Sequence, residues 1–205
     1  MKTTINHYSA NAEHYYSLYQ SISADSVHGY LEQALANTQP TTALDVGAGS
    51  GRDANWLAAK GWQVTAAEPA EALLKLAKQH SNEKVSWCNA ALPALANLAT
   101  VHKYKHQHQH FDLILLSAVW MHLPLDDRPT AIKRLAELLS AKGRMYISLR
   151  FGPSDPKRPM YPVSYEELQA LAAESGLTAR NLNPVPSEDG LKRSDVEWVT
   201  VELVN

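Results

Sequence analysis

The strongest constraint on the fold is an alternation. Short, β-rich apolar runs are separated by segments with helical spacing, the sequence form of a parallel sheet covered by helices. The first run, 43–46, is entered from Pro40, Thr41 and Thr42 and ends at Gly47, Gly49 and Gly51. A helix is predicted over 52–60, with Gly61 where a C-terminal cap belongs. A strand over 62–67, a helix over 71–80 with Leu73, Leu74 and Ala77 on one face, and a strand over 84–88 complete a βαβαβ order. Residues 111–117 (FDLILLS) are almost continuously apolar, as a strand buried on both faces requires. A helix over 126–140, stopped by Lys142 and Gly143, leads to a strand over 144–149. After a Pro-rich loop over 151–162, Ser164 opens a helix with Glu166 and Glu167 in its first turn. Runs over 177–184 and 196–203 then read as an antiparallel pair at the sheet edge. The expected fold is α/β: a doubly wound, mostly parallel, seven-stranded sheet with an antiparallel C-terminal edge.

Composition narrows the function classes. At 205 residues and 45% hydrophobic, the chain suits one domain, which at this size buries roughly 70% of its unfolded surface. With 19 basic against 21 acidic residues, it lacks the charge excess on which generic nucleic-acid and anionic-membrane binders rely. The single cysteine, Cys88, excludes an intramolecular disulfide and an all-cysteine metal site. The N-terminus has no apolar run of the roughly 7 to 15 residues that a secretory signal needs. Nothing approaches the roughly 20 apolar residues of a spanning helix. A cytoplasmic protein without membrane or nucleic-acid partners is expected.

The segment Asp45, Val46, Gly47, Ala48, Gly49, Ser50, Gly51 lies between a predicted strand and a predicted helix, where open α/β sheets bind nucleotides. Glycines there permit a tight turn and close backbone approach. Glu68 closes the second strand 21 residues after Gly47, close to the interval of roughly 20 at which a carboxylate meets ribose hydroxyls. An adenosine-type ligand is indicated. The third glycine comes one position too early for the dinucleotide pattern, and no Lys follows a Gly as a P-loop requires.

ALDVGAGSGRDA followed by VTAAEPA resembles the first two motifs of class I S-adenosylmethionine-dependent methyltransferases. FDLILLSAVWMHLP and KGRMYISL resemble the same family's fourth and fifth strands, so the likeness spans about 41–149. It implies S-adenosylmethionine as cofactor and S-adenosylhomocysteine as product. It also implies a cofactor site formed by Asp45, Gly47, Ala48, Gly49, Gly51, Glu68, Pro69, Ala90 and Ser117, with Glu68 on the ribose diol. Arg52 is a candidate for the cofactor carboxylate, or else a solvated first-turn residue. Where many members carry an acid after the third strand, this chain has Cys88, Asn89, Ala90; Asn89 offers an amide oxygen for the adenine amino group. An NAD(P)-dependent oxidoreductase and a non-catalytic cofactor-binding protein are the alternatives.

For the chemistry, the resemblance places the residues after the fourth strand beside the methyl donor. His122 is the candidate base or acceptor-orienting group, against a histidine that packs the following helix. Trp120 is a candidate wall of the acceptor pocket or a core residue. Tyr8, Tyr15, Tyr16 and Tyr19 fit one helical stripe. In related enzymes such an N-terminal element forms a lid, here 1–38 over an α/β core at 39–205, and Tyr16 is the candidate contact to the methionine end. Arg150 and Arg158 either select an acidic acceptor or are solvated. The histidines at 102, 106, 108 and 110 are read as a solvated loop, without metal. No basic appended domain, aromatic-basic RNA platform or N-P-P-Y-like motif is present, so the expected partner is a small-molecule methyl acceptor.

Overall fold

A computed structural model describes residues 1–35, 38–98 and 110–205. The chain opens with helices α1 (Lys2–Ala10), α2 (Ala12–Gln20) and α3 (Ala24–Leu35). It continues β1 (Thr42–Val46), α4 (Arg52–Ala59), β2 (Gln63–Ala67), α5 (Glu71–Gln79), β3 (Val85–Cys88) and β4 (Phe111–Leu116). Two 3₁₀ turns, Trp120–His122 and Leu125–Asp127, precede α6 (Arg128–Leu138) and β5 (Leu139–Phe151). The chain then forms α7 (Tyr165–Glu174), β6 (Thr178–Asn181), β7 (Ser187–Glu188) and β8 (Glu197–Val204). None of these helices is long and apolar enough to cross a membrane.

Among the described residues the sheet has eight strands, ordered β3-β2-β1-β4-β5-β8-β6, with β7 also pairing with β8. Strands β1 to β5 pair in parallel, and β8 runs antiparallel between β5 and β6. The expected doubly wound sheet with an antiparallel C-terminal edge is therefore observed; the added strand is the two-residue β7.

Strand alternation sends successive side chains to opposite faces. Leu44 and Val46 of β1, Ile114 and Leu116 of β4, and Met145, Ile147 and Leu149 of β5 join Ile132 and Leu135 of α6 and Leu168 of α7 in one core. Ala43, Leu113, Leu115 and Tyr146 face the other way, onto Leu31 of α3 and Ala54 and Leu57 of α4. Both faces are covered, which is why β4 reads as an almost continuous apolar run and β1 is apolar but for Asp45 from Ala43 to Val46. The α7 start is capped as Ser164 predicts: its Oγ accepts from the Glu167 N–H at 3.1 Å.

Two local expectations are corrected. Lys142 and Gly143 do not end the α6 helix, which stops at Leu138; β5 begins at Leu139, and both residues lie inside it. The pairing with β4 shifts register between Phe111 and Leu113, a bulge. A Cβ on Gly143 would sit 2.8 Å from the Phe111 carbonyl and from Leu139 Cδ1, so close approach, not helix termination, requires this glycine. The tyrosine stripe is also divided: α1 ends at Ala10, leaving Tyr8 on α1 and Tyr15, Tyr16 and Tyr19 on α2.

Candidate active site

The carboxyl ends of β1, β2, β4 and β5 form the crevice. Gly47, Gly49 and Gly51 have φ of +69°, +56° and +76°, a left-handed run that side chains disfavour. A Cβ on Gly47 would reach 2.6 Å from Val119, and one on Gly51 2.9 Å from the Trp87 ring. At Gly49 the nearest atom is Tyr19 Cδ2 at 3.8 Å. The outer glycines answer to packing, whereas at the middle one a side chain would meet α2 only at ordinary contact distance. Gly47 and Ala48 both donate to the Ala67 carbonyl, at 2.7 and 3.1 Å, which ties the turn to the end of β2.

Glu68 clasps this turn. Its two oxygens accept from the Gly49 N–H at 2.8 Å and the Ala70 N–H at 2.7 Å. Burial pushes its carboxyl up to about 7 against the pull of those two bonds. Asp45 is buried with Oδ2 unpartnered. Burial, and then the charge of Asp53, hold its pKa well above the usual carboxylate range. Asp53 goes the other way: burial alone would raise it, but His28 and Arg52 hold it well below. Arg52 gives its fork to Asp53, with bonds of 2.6 and 2.9 Å, and His28 Nε2 lies 3.1 Å from the same carboxylate. The guanidinium expected to meet a ligand carboxylate is thus engaged by its neighbour in sequence.

His122 is buried between two chain segments. Its Nδ1 lies 3.1 Å from the Pro159 carbonyl, which only accepts, so Nδ1 carries the proton and Nε2 is a free base. Nε2 lies 3.3 Å from the Tyr8 hydroxyl, which donates to it. That hydroxyl also accepts from Arg158 Nη1 at 2.9 Å and from the Tyr19 hydroxyl at 3.3 Å. Burial, and then the charges of Arg158 and Arg150, bring the His122 pKa down to about 4, although its bond to Pro159 pulls upward. The imidazole is neutral at neutral pH. Half-buried Tyr19 is shifted well above the ordinary phenol range, chiefly by desolvation.

Other expected site residues are placed differently. Trp120 is fully buried in the α6–α7 core with the Arg128 guanidinium 5.7 Å from its ring, so it anchors packing and walls no pocket. Tyr16 stands apart from the Tyr8, Tyr15 and Tyr19 group; its ring lies 5.5 Å from that of His80 at the end of α5. Tyr15 and Tyr19 of the same helix stack with Tyr8, and Tyr8 alone of these meets His122, so Tyr16 lies on another face of α2. Ser117 is half-buried just past β4, and Pro69 half-buried just past Glu68. Asn89 is exposed and donates from Nδ2 to the Pro69 carbonyl at 3.3 Å, while Ala90 is buried in the core beside it. The histidines at 102, 106 and 108 lie outside the described residues. No group of three or more His, Cys, Asp or Glu is arranged for a metal among the described ones.

Sequence reasoning missed the Arg158 bond to Tyr8, the His28 partnership with Asp53, and the Gln20 side chain donating to the Ser50 carbonyl at 2.9 Å. Only the adjacency of Arg52 and Asp53 gave a local signal.

Residues 44–147, just over half of the chain, match the methyltransferase domain family. The chain belongs to that family. The chain is 34% identical over 121 residues to a ubiquinone biosynthesis O-methyltransferase of Xanthomonas axonopodis pv. citri, a match covering 58% of this chain. It spans about half (47%) of that relative's length. Solved structures with the same fold include a Burkholderia thailandensis 1,6-didemethyltoxoflavin-N1-methyltransferase carrying 1,6-didemethyltoxoflavin and S-adenosylhomocysteine. Its TM-score is 0.70 at 19% identity, over 98% of this chain and 87% of that one. A TehB-like methyltransferase of Corynebacterium glutamicum follows at TM-score 0.66 and 19% identity, over 96% and 98%. The methyltransferase domain thus has the class I architecture, and the glycine turn, Glu68 and His122 all lie inside the matched residues.

Proposed function

We propose that this chain transfers a methyl group from S-adenosylmethionine to a small-molecule acceptor. The observation that carries the reading is the left-handed glycine turn set beside the unpartnered Asp45 oxygen and the Glu68 carboxylate, all within the family match. These residues fit the cofactor. Each Glu68 oxygen takes one backbone N–H and keeps a lone pair for a ribose hydroxyl. The buried Asp45 oxygen suits the ammonium of the methionine part. Because Asn89 turns its amide nitrogen to Pro69, its oxygen is left for the adenine amino group. Gly47, Ala48, Gly51, Pro69, Ala90 and Ser117 would line the same crevice.

Bound there, S-adenosylmethionine supplies a methyl group already activated by its sulfonium, so the protein's work is alignment and exclusion of water. Residues 1–38 serve as the lid: the Tyr19 ring covers Gly49, and Gln20 holds the turn at Ser50. On the acceptor side the neutral His122 Nε2 is the base. A proton leaving the acceptor passes to the Tyr8 hydroxyl as the Tyr8 proton passes to Nε2. The small-molecule chemistry of similar proteins, an O-methyltransferase of ubiquinone biosynthesis and an N1-methyltransferase with bound 1,6-didemethyltoxoflavin, supports an acceptor of small-molecule size.

Calorimetric titration with S-adenosylmethionine, S-adenosylhomocysteine and NADH tests the reading. The two adenosyl ligands should bind and NADH should not, which then justifies an acceptor screen that follows homocysteine release. Folded protein that ignores both adenosyl ligands would overturn it.

A further inference from the structure

The end of β5 carries an unsolved electrostatic problem. Arg150 is only 7% exposed, its Nε has no partner, and its guanidinium donates to the Pro153 carbonyl at 2.9 Å and to no carboxylate among the described residues. Two further arginines lie near enough to disfavour its charge, Arg158 and Arg193. Each of those has its own counter-ion: Arg158 pairs with Asp155 at 3.1 Å, and Arg193 with Asp189 at 2.8 and 2.7 Å. Asp189 and Asp195 act on Arg150 only from a distance. A buried cation without a bonded anion is costly, and one whose neighbours are also cations more so.

The place of this charge gives it meaning. Arg150 closes the part of β5 that continues toward the crevice, and Arg158 reaches Tyr8 from the loop that wraps His122. Both cations act on His122. Strand β4 separates β5 from β1, so Arg150 stands two strand spacings, about 10 Å, from the Asp45 strand. That puts it on the acceptor side of His122, away from the glycine turn.

We infer that the methyl acceptor carries a carboxylate, received by the Arg150 guanidinium with Arg158 beside it, while the group to be methylated faces Tyr8 and His122. The planar fork of an arginine matches a carboxylate in two bonds, and Nε is one of the donors that such a pair uses. This assignment rests on reading the crevice as a methyl-transfer site. A carboxylate there has a second conceivable source, the methionine part of the cofactor, because Arg52 is engaged by Asp53.

The test follows the arginine Nε–Hε cross-peaks of the full chain by ¹H–¹⁵N NMR, with the Arg150 peak assigned by its loss in Arg150→Lys. The protein, free and saturated with S-adenosylhomocysteine, is titrated with formate, acetate and benzoate, each against its amide and against chloride at equal ionic strength. We expect at least one carboxylate to move the Arg150 peak saturably in the loaded protein, at least about tenfold more tightly than its amide. Chloride should leave that peak in place. An Arg150 peak that no carboxylate moves, or that chloride moves equally, overturns the inference. So does a peak moved by S-adenosylhomocysteine itself that then ignores added carboxylates, since the anion would be the cofactor's own. A carboxylate response in a protein that does not bind S-adenosylhomocysteine would support the anion seat and overturn the methyl-transfer reading alone.

Discussion

The Tyr8 hydroxyl lies 3.3 Å from His122 Nε2, joining residues 114 positions apart. The bond couples the first helix to the turn after β4, and the proton on Nδ1, fixed by the Pro159 carbonyl, leaves Nε2 as its acceptor. Replacing His122 with Asn should lower kcat/KM by about 10²–10⁴, the range for loss of a positioned base. Tyr8→Phe should cost less, about tenfold to a hundredfold. The acid limb of the wild-type pH profile should fall near pH 4, with no limb at 6.5. A pH profile of His122→Asn that matches wild type in rate and shape would exclude His122 from the chemistry.

The same histidine predicts a stability profile. Its folded pKa is about 4 against an ordinary 6.5, so between these values the unfolded chain binds a proton that the folded one refuses. Stability should therefore fall as pH drops from 6.5 to 4, by up to about 3 kcal/mol from this group. Urea unfolding of wild type and His122→Gln across that window measures it: the slope should be shallower in the variant.

Glu68 links pH to cofactor binding. Its carboxyl is held near 7, and the ribose hydroxyls would donate to the ionised form. S-adenosylhomocysteine should bind about tenfold more weakly at pH 6 than at pH 8, and calorimetry in buffers of different ionisation heat should show proton release at pH 6.5. Glu68→Gln should bind weakly at both pH values and release no proton.

The glycine turn separates packing from access. Gly51→Ala combines a φ of +76° with a Cβ 2.9 Å from the Trp87 ring, and should destabilise by about 1–3 kcal/mol. Trp87→Leu in the same chain should recover part of that loss. Gly49→Ala meets nothing nearer than 3.8 Å and should cost only the left-handed backbone, about 1–2 kcal/mol. Denaturant midpoints of the three variants give the comparison.

Asp53 holds Arg52 and His28 together in a buried cluster. Asp53→Asn removes the shared anion and leaves two cation-forming groups without it, a loss of about 3–5 kcal/mol by analogy with broken buried pairs. Thermal unfolding should show it, and Asp25→Asn, at an exposed partner of Trp56, should change stability far less.

The legible parts of this protein are those whose cause is local. Leu44 and Val46, or Ile114 and Leu116, pack one face while Ala43, Leu113 and Leu115 beside them pack the other, and a nearly continuous apolar run declares such a doubly covered strand. Gly47, Gly49 and Gly51 between a strand and a helix announce a left-handed turn because only glycine adopts it cheaply, and Glu68 is placed by the length of one strand-helix-strand unit. Gly143 shows the limit of that logic. Its sequence neighbours read as a helix stop, and only the approach of the Phe111 carbonyl from β4 reveals why it is glycine.

What the sequence by itself determined is thus the order of elements, the two apolar faces and the glycine turn with its acid. Only the tertiary structure decided which side chains meet across the crevice. Trp120 and His122 are two positions apart, yet one is buried under α6 and the other faces Tyr8, because a 3₁₀ turn divides them between core and crevice. Arg52 turns to Asp53 and Tyr16 to His80, while Arg158 crosses 150 positions to Tyr8. Periodicity fixes the face on which a residue lies. The partner it finds there depends on how distant segments pack, and no local pattern encodes that.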